Sequence, residues 1–101
     1  MPGHGVPRNP AEALRWYLRA AEQGYAIAQT NAAVLYIQGD GVPRDLVMAD
    51  GWLLIAAANG VDDAAKASKE LHKHMSSEQI RQAEDASRKQ RVSFSRSDVA
   101  N

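Results

Sequence analysis

The sequence predicts an all-α protein built as a short solenoid of antiparallel helix pairs, and three observations carry that expectation. The run Gly3-His4-Gly5-Val6-Pro7-Arg8-Asn9 returns thirty-six residues later as Gly39-Asp40-Gly41-Val42-Pro43-Arg44-Asp45. The echo continues: Ala13 meets Ala49, Trp16 meets Trp52, Leu18 meets Leu54, Gly24 meets Gly60 and Ala28 meets Ala64. No segment alternates with period two in strand-forming residues. A fixed period of this size means stacked units, because one helix pair cannot bury its apolar face alone.

Each element has its own start and stop. Asn9 can cap a first helix, with Pro10 suited to its first position and Glu12 placed to bond back to the cap. That helix runs to about Gln23 and stops at Gly24, where a left-handed backbone is cheap. A second helix spans about Ala26 to Gln38 and ends at Gly39. The third begins at Asp45 and ends at Gly60, and Asp62 opens a fourth that reaches about His74. Ser76 with Gln79 is a capping pair for a fifth helix, from about Ser77 to Gln90. The repeats then fall at about 3–38 and 39–75 in a domain of residues 1–91, with a capping helix over 77–91. Residues 92–101 read as a disordered tail, from their polar, Ser-rich composition and terminal position.

The second and third helices are apolar almost all round, so each needs cover on more than one side. The first, fourth and fifth carry charge on a wide face, as outer layers do. Trp16, Tyr36 and Trp52 are expected to fill the spaces between pairs, while Ala32, Ala33, Ala49, Ala56 and Ala57 let helix axes approach.

At 101 residues the chain is at most one domain. Twelve basic residues balance twelve acidic ones, which argues against nucleic acid as a ligand, since phosphate binding needs a basic excess on one face. There is no cysteine, so disulfides and thiol chemistry are excluded. Met1 to Trp16 lacks the apolar run of a secretory signal, and the longest apolar run, Trp52 to Ala58, is too short to span a bilayer. A cytoplasmic location is expected, or a periplasmic or secreted one if a leader was removed.

The combination Ala26-x-Ala28-Gln29-x-Asn31, Tyr36-x-x-Gly39-x-Gly41-Val42-Pro43-x-Asp45, Ala49-x-x-Trp52 and Ala56-Ala57-x-x-Gly60 resembles a Sel1-like repeat, a relative of the tetratricopeptide repeats. The resemblance covers about residues 3 to 75. It implies a right-handed solenoid whose pairs present their first helices on a concave face. It also implies an adaptor or scaffold that binds another protein, with bacterial signalling and secretion as common settings. Departures are Ala32-Ala33 where the family has Leu-Gly, and Asp62-Asp63-Ala64-Ala65-Lys66 in place of the Ala-Gln pattern, which reads as a terminal cap. The first repeat is expected to lack its opening helix, since Met1 falls just before the interhelical loop.

No catalytic, cofactor or metal constellation emerges. Gly3-His4-Gly5 and Gly39-Asp40-Gly41 lack the preceding strand and following Lys-Ser/Thr of a phosphate loop, and serve better as turns between helices. His72 and His74 lie about 200° apart around a helix and cannot grip one metal. Asp62-Asp63 suits a helix start, and Glu84-Asp85 lies on an outer helix, with no apolar pocket implied around either pair. Arg91-Val92-x-Phe94 and Arg91 with Ser93 match short docking and kinase patterns that arise often by chance.

The positive expectation is therefore a non-enzymatic scaffold that presents a groove to a peptide or helix of a partner protein. Tetratricopeptide geometry directs Ile27, Thr30, Val34, Ile37 and Gln38 into that groove, with Asp63, Lys66, Glu70, Lys73 and His74 at the matching places one repeat on. The apolar strip could instead be covered by the fifth helix or by another subunit. Two rival readings remain: a homodimer joined through Leu14, Trp16, Tyr17 and Leu18 of the first helix, and an inhibitor of the immunity-protein kind from a bacterial secretion system.

Overall fold

The computed structural model describes residues 9–100, with side chains described for residues 9–90. Five helices follow one another: α1 (Pro10–Glu22), α2 (Ala26–Gln38), α3 (Leu46–Ala58), α4 (Asp62–His72) and α5 (Ser77–Ala100). No strand occurs among the described residues. The all-α, helix-pair architecture is that expected from the repeat.

Local chemistry explains the helix starts. Asn9 Oδ1 accepts the Glu12 N–H at 2.7 Å, and Pro10 occupies the first turn, where a missing N–H costs nothing. Asp45 does the same for Met48 at 3.0 Å. Before α5 the reciprocal box is complete: Gln79 N–H donates to Ser76 Oγ at 3.1 Å, while Ser76 N–H donates to Gln79 Oε1 at 2.8 Å.

The turn over Gly39–Arg44 closes when Asp45 N–H donates to the Tyr36 carbonyl at 3.0 Å. Gly41 has φ +80° and sits against the start of α1, where an added Cβ would stand 2.6 Å from Ala11 N. This loop is thus packed against the previous repeat as well as turning the chain. Its first copy, Gly3–Arg8, lies outside the described residues.

Helix α3 is the centre of the molecule. It packs against α2, α4 and α5, and buries Ala49, Asp50, Gly51, Trp52, Leu53, Ile55 and Ala56. Trp52 is 7% exposed and fills the junction it was expected to fill. Tyr36 is half-buried against the same core. Trp16 is not in the interior. Its ring is 58% exposed and carries the Arg19 guanidinium at 5.9 Å, because nothing among the described residues covers this side of α1 as α5 covers α3.

Two further expectations change. Helix α5 runs to Ala100 rather than stopping near Gln90, so the segment read as a disordered tail is helical through Ala100. No glycine or proline occurs between Ser77 and Ala100 to stop the helix, and polar composition alone does not. Helix α5 also does not cover the strip on α2. It crosses α3 instead, where Gly51 leaves room for Ala83 and Ala86 to come close.

Candidate functional site

Ile27, Thr30, Val34, Ile37 and Gln38 recur at the three- and four-residue spacings that align side chains along one stripe of a helix. Ile27 is 75% exposed and Val34 is 40% exposed, two turns apart. Gln38 is exposed at the end of the stripe. Thr30 is half-buried and donates its hydroxyl to the Ala26 carbonyl at 3.1 Å. Ile37 differs, since it packs against the core as well as edging the stripe. The usable apolar anchors are therefore Ile27 and Val34.

On α4 the matching stripe is charged. Asp63, Lys66 and Glu70 are exposed, as are Lys73 and His74 just beyond the helix. Lys73 Nζ pairs with Glu70 at 3.0 Å, an exposed contact contributing roughly 0–1 kcal/mol. One helix thus offers bare apolar side chains, and its repeat equivalent offers alternating charge.

The four residues of the anticipated dimer contact do not form one patch. Leu14 is buried in the core of this chain and is unavailable to a second copy. It points inward because it faces α2. Tyr17 and Leu18 are half-buried against the same core, and Trp16 alone is exposed.

The structure also assembles a polar cluster that the spacing of single motifs did not reveal. Asp50 on α3 is fully buried and receives the Ser68 hydroxyl at 2.6 Å and His72 Nε2 at 2.8 Å. Ser68 and His72 come from successive turns of α4, which is why both reach one carboxylate. A carboxylate only accepts, so Nε2 carries the proton in this contact. Despite the residue types, this is not a nucleophile and its base. The Ser68 hydroxyl is buried and spent on Asp50, and the same His72 nitrogen that lies 3.2 Å from it is engaged by the carboxylate.

The signal for this cluster lay in the mismatches between repeats. Thirty-six residues earlier the three positions are Leu14, Ala32 and Tyr36, which lie in or against the apolar core. Gln29 is buried too, donating to the Ala21 carbonyl at 3.1 Å and accepting from Asn59 at 3.4 Å. No buried polar side-chain atom lacks a partner among the described residues. Among them, too, no three His, Cys, Asp or Glu residues converge to hold a metal, and no helix is long and apolar enough to cross a membrane.

The family model described as Sel1 repeat matches residues 1–25 and 26–61. Over 60 residues the chain is 40% identical to the chitin synthase regulator SKT5 of Malassezia restricta, a match covering 59% of this chain and 4% of that protein. Over 65 residues it is 38% identical to chitin synthase regulatory factor 3 of Schizosaccharomyces pombe, covering 64% of this chain and 7% of that one. Among solved structures, a protective antigen of uropathogenic Escherichia coli displaying an SLR fold superposes with a TM-score of 0.81 at 28% identity, over 98% of this chain and 22% of that chain. The chain therefore spans a small part of each of these proteins.

Proposed function

Since the chain belongs to the Sel1 repeat family, we propose that it works as a non-enzymatic adaptor whose α2–α4 side receives a peptide or helix of a partner protein. The observation that carries this reading is the pair Ile27 and Val34, apolar and bare on the first helix of a repeat. An amphipathic segment with two apolar anchors about two turns apart fits that spacing. Exposed Lys66, Glu70 and Lys73 would orient the segment more than hold it, since rim charges govern steering and register. Regulators among the relatives support an adaptor rather than a catalyst.

A photo-crosslinking residue placed at Val34 tests the assignment. Adducts with a partner should form there and not from the same residue placed at Arg81 on α5. Equal adducts from both positions would mean that the partner does not dock on the α2–α4 side.

Self-association through α1 is the second reading, and exposed Trp16 is what favours it. Sedimentation near micromolar concentration separates the two. A dimer that Trp16→Glu dissociates supports self-association, and a monomer ends it.

A further inference from the structure

We propose that the outward stripe of α1, centred on Arg15, Trp16 and Arg19, is a second docking surface, separate from the α2–α4 side. Its occupant is a helix of a partner protein with carboxylates flanking an apolar side chain. An offset of thirty-six residues carries Arg15, Trp16 and Arg19 onto Gly51, Trp52 and Ile55. Those three residues lie where α5 crosses α3, and with Ala86 and Gln90 they line the cleft between the two helices. The fold therefore already seats a helix on this face, one repeat further along. Trp52 is 7% exposed and Trp16 is 58% exposed, the same residue at the same repeat position with and without a helix beside it.

The side chains around Trp16 describe what would fit. Gly51 admits Ala83 and Ala86 closely, whereas Arg15 at the same place fills that room. A small-residue helix such as α5 is thus excluded, and a helix standing further off, bridged by longer side chains, is favoured. Arg15 and Arg19 are exposed, and among the described residues neither is in an ion pair. By contrast Lys73, Arg81 and Arg88 each pair with an acidic residue three positions earlier. The Arg19 guanidinium lies over the Trp16 ring, a contact that leaves its N–H edge able to take a carboxylate. Glu12 and Glu22 bracket the stripe, so its order is acidic, basic, aromatic, basic, acidic.

That order also argues against a second copy as the occupant. Two α1 helices paired antiparallel about Tyr17 set Arg15 against Arg19 and Glu12 against Glu22. A parallel pair sets each residue against itself. Both arrangements oppose like charges, and the staggered antiparallel registers that avoid this, with Glu12 against Arg19 or Arg15 against Glu22, pair only two of each copy's four charges, which costs affinity relative to a fully complementary helix. The complement is a helix reading basic, acidic, apolar, acidic, basic.

The test uses two alanine-based helical peptides of identical composition. One carries Lys, Glu, Leu, Glu and Lys at i, i+3, i+4, i+7 and i+10; its twin has every Lys and Glu exchanged. Each is titrated against the intact protein while tryptophan emission is followed, with Trp16→Phe identifying the exposed ring's share. The first peptide should give a saturable blue shift and bind at least about tenfold more tightly than its twin. Arg15→Glu with Arg19→Glu, folded by circular dichroism, should reverse the preference. Equal binding of the twins, no saturable shift with either, or an unreversed preference would overturn the proposal. So would dilution-dependent Trp16 emission without peptide, because a second copy would then hold the seat. Ile27→Asp with Val34→Asp should leave this titration unchanged, which keeps it independent of the groove.

Discussion

Asp50, Ser68 and His72 show how one fold position can be solved in two chemistries. At the equivalent positions one repeat earlier, Leu14 and Ala32 belong to the apolar core and Tyr36 packs against it. Removing one donor leaves a buried carboxylate short of a partner, so Ser68→Ala or His72→Ala should each cost about 1–3 kcal/mol in urea unfolding. His72 belongs at the lower end, because its ring is 27% exposed and water can replace part of the bond. The triple change Asp50→Leu, Ser68→Ala, His72→Tyr should recover most of that loss, since apolar sets commonly match or exceed buried polar ones. A triple variant less stable than either single would show that α4 sits differently on α3 than α2 sits on α1. Tyr36 adds a pH effect. Burial first, and the nearby Asp45 carboxylate second, raise its phenol above the ordinary 10.0. The folded state therefore holds this proton more tightly than the unfolded one. The resulting stability is full below about pH 10 and is lost as pH rises through the folded value. Tyr36→Phe should flatten the fall in Tm above pH 10. The polar cluster was hard to read in advance because repeat matching rewards identities, and these three positions are informative only as joint mismatches.

Among the elements, glycine and tryptophan pairs separate local from packing effects. Gly24 and Gly41 both have positive φ, but a Cβ at Gly24 meets nothing within 4 Å, while one at Gly41 strikes the α1 backbone. Gly24→Ala should cost about 1 kcal/mol, from the left-handed backbone alone. Gly41→Ala should cost at least about 2 kcal/mol, because the backbone term is joined by displacement of α1. Equal losses would mean that the loop yields and does not brace the previous repeat. Trp52→Ala should cost about 3–5 kcal/mol and Trp16→Ala less than about 1 kcal/mol, as buried and exposed copies of one residue. Helix boundaries were legible because caps are local: Asn9, Asp45 and the Ser76–Gln79 box each act within three residues. Where α5 lands was not legible. It lies against Gly51 on α3, a contact between distant parts of the chain that no pattern within α5 encodes.

For the whole molecule, the thirty-six-residue repeat carries the architecture, while its period says nothing of what the exposed faces bind. Ile27 and Val34 could be placed on one stripe from spacing alone, but whether they were covered depended on the path of α5. That helix packs on α3 and leaves them open. Ile37, on the same stripe, touches the core, so a charge there would test folding and binding together. The decisive comparison is therefore the wild-type chain against Ile27→Asp with Val34→Asp, both immobilised and exposed to an extract of the source cells, with retained proteins quantified by mass spectrometry. The variant should keep its helical circular dichroism and melting temperature within a few degrees while losing the proteins that the wild type retains. The same set of proteins on both chains, with both folded, would contradict docking on the α2–α4 side.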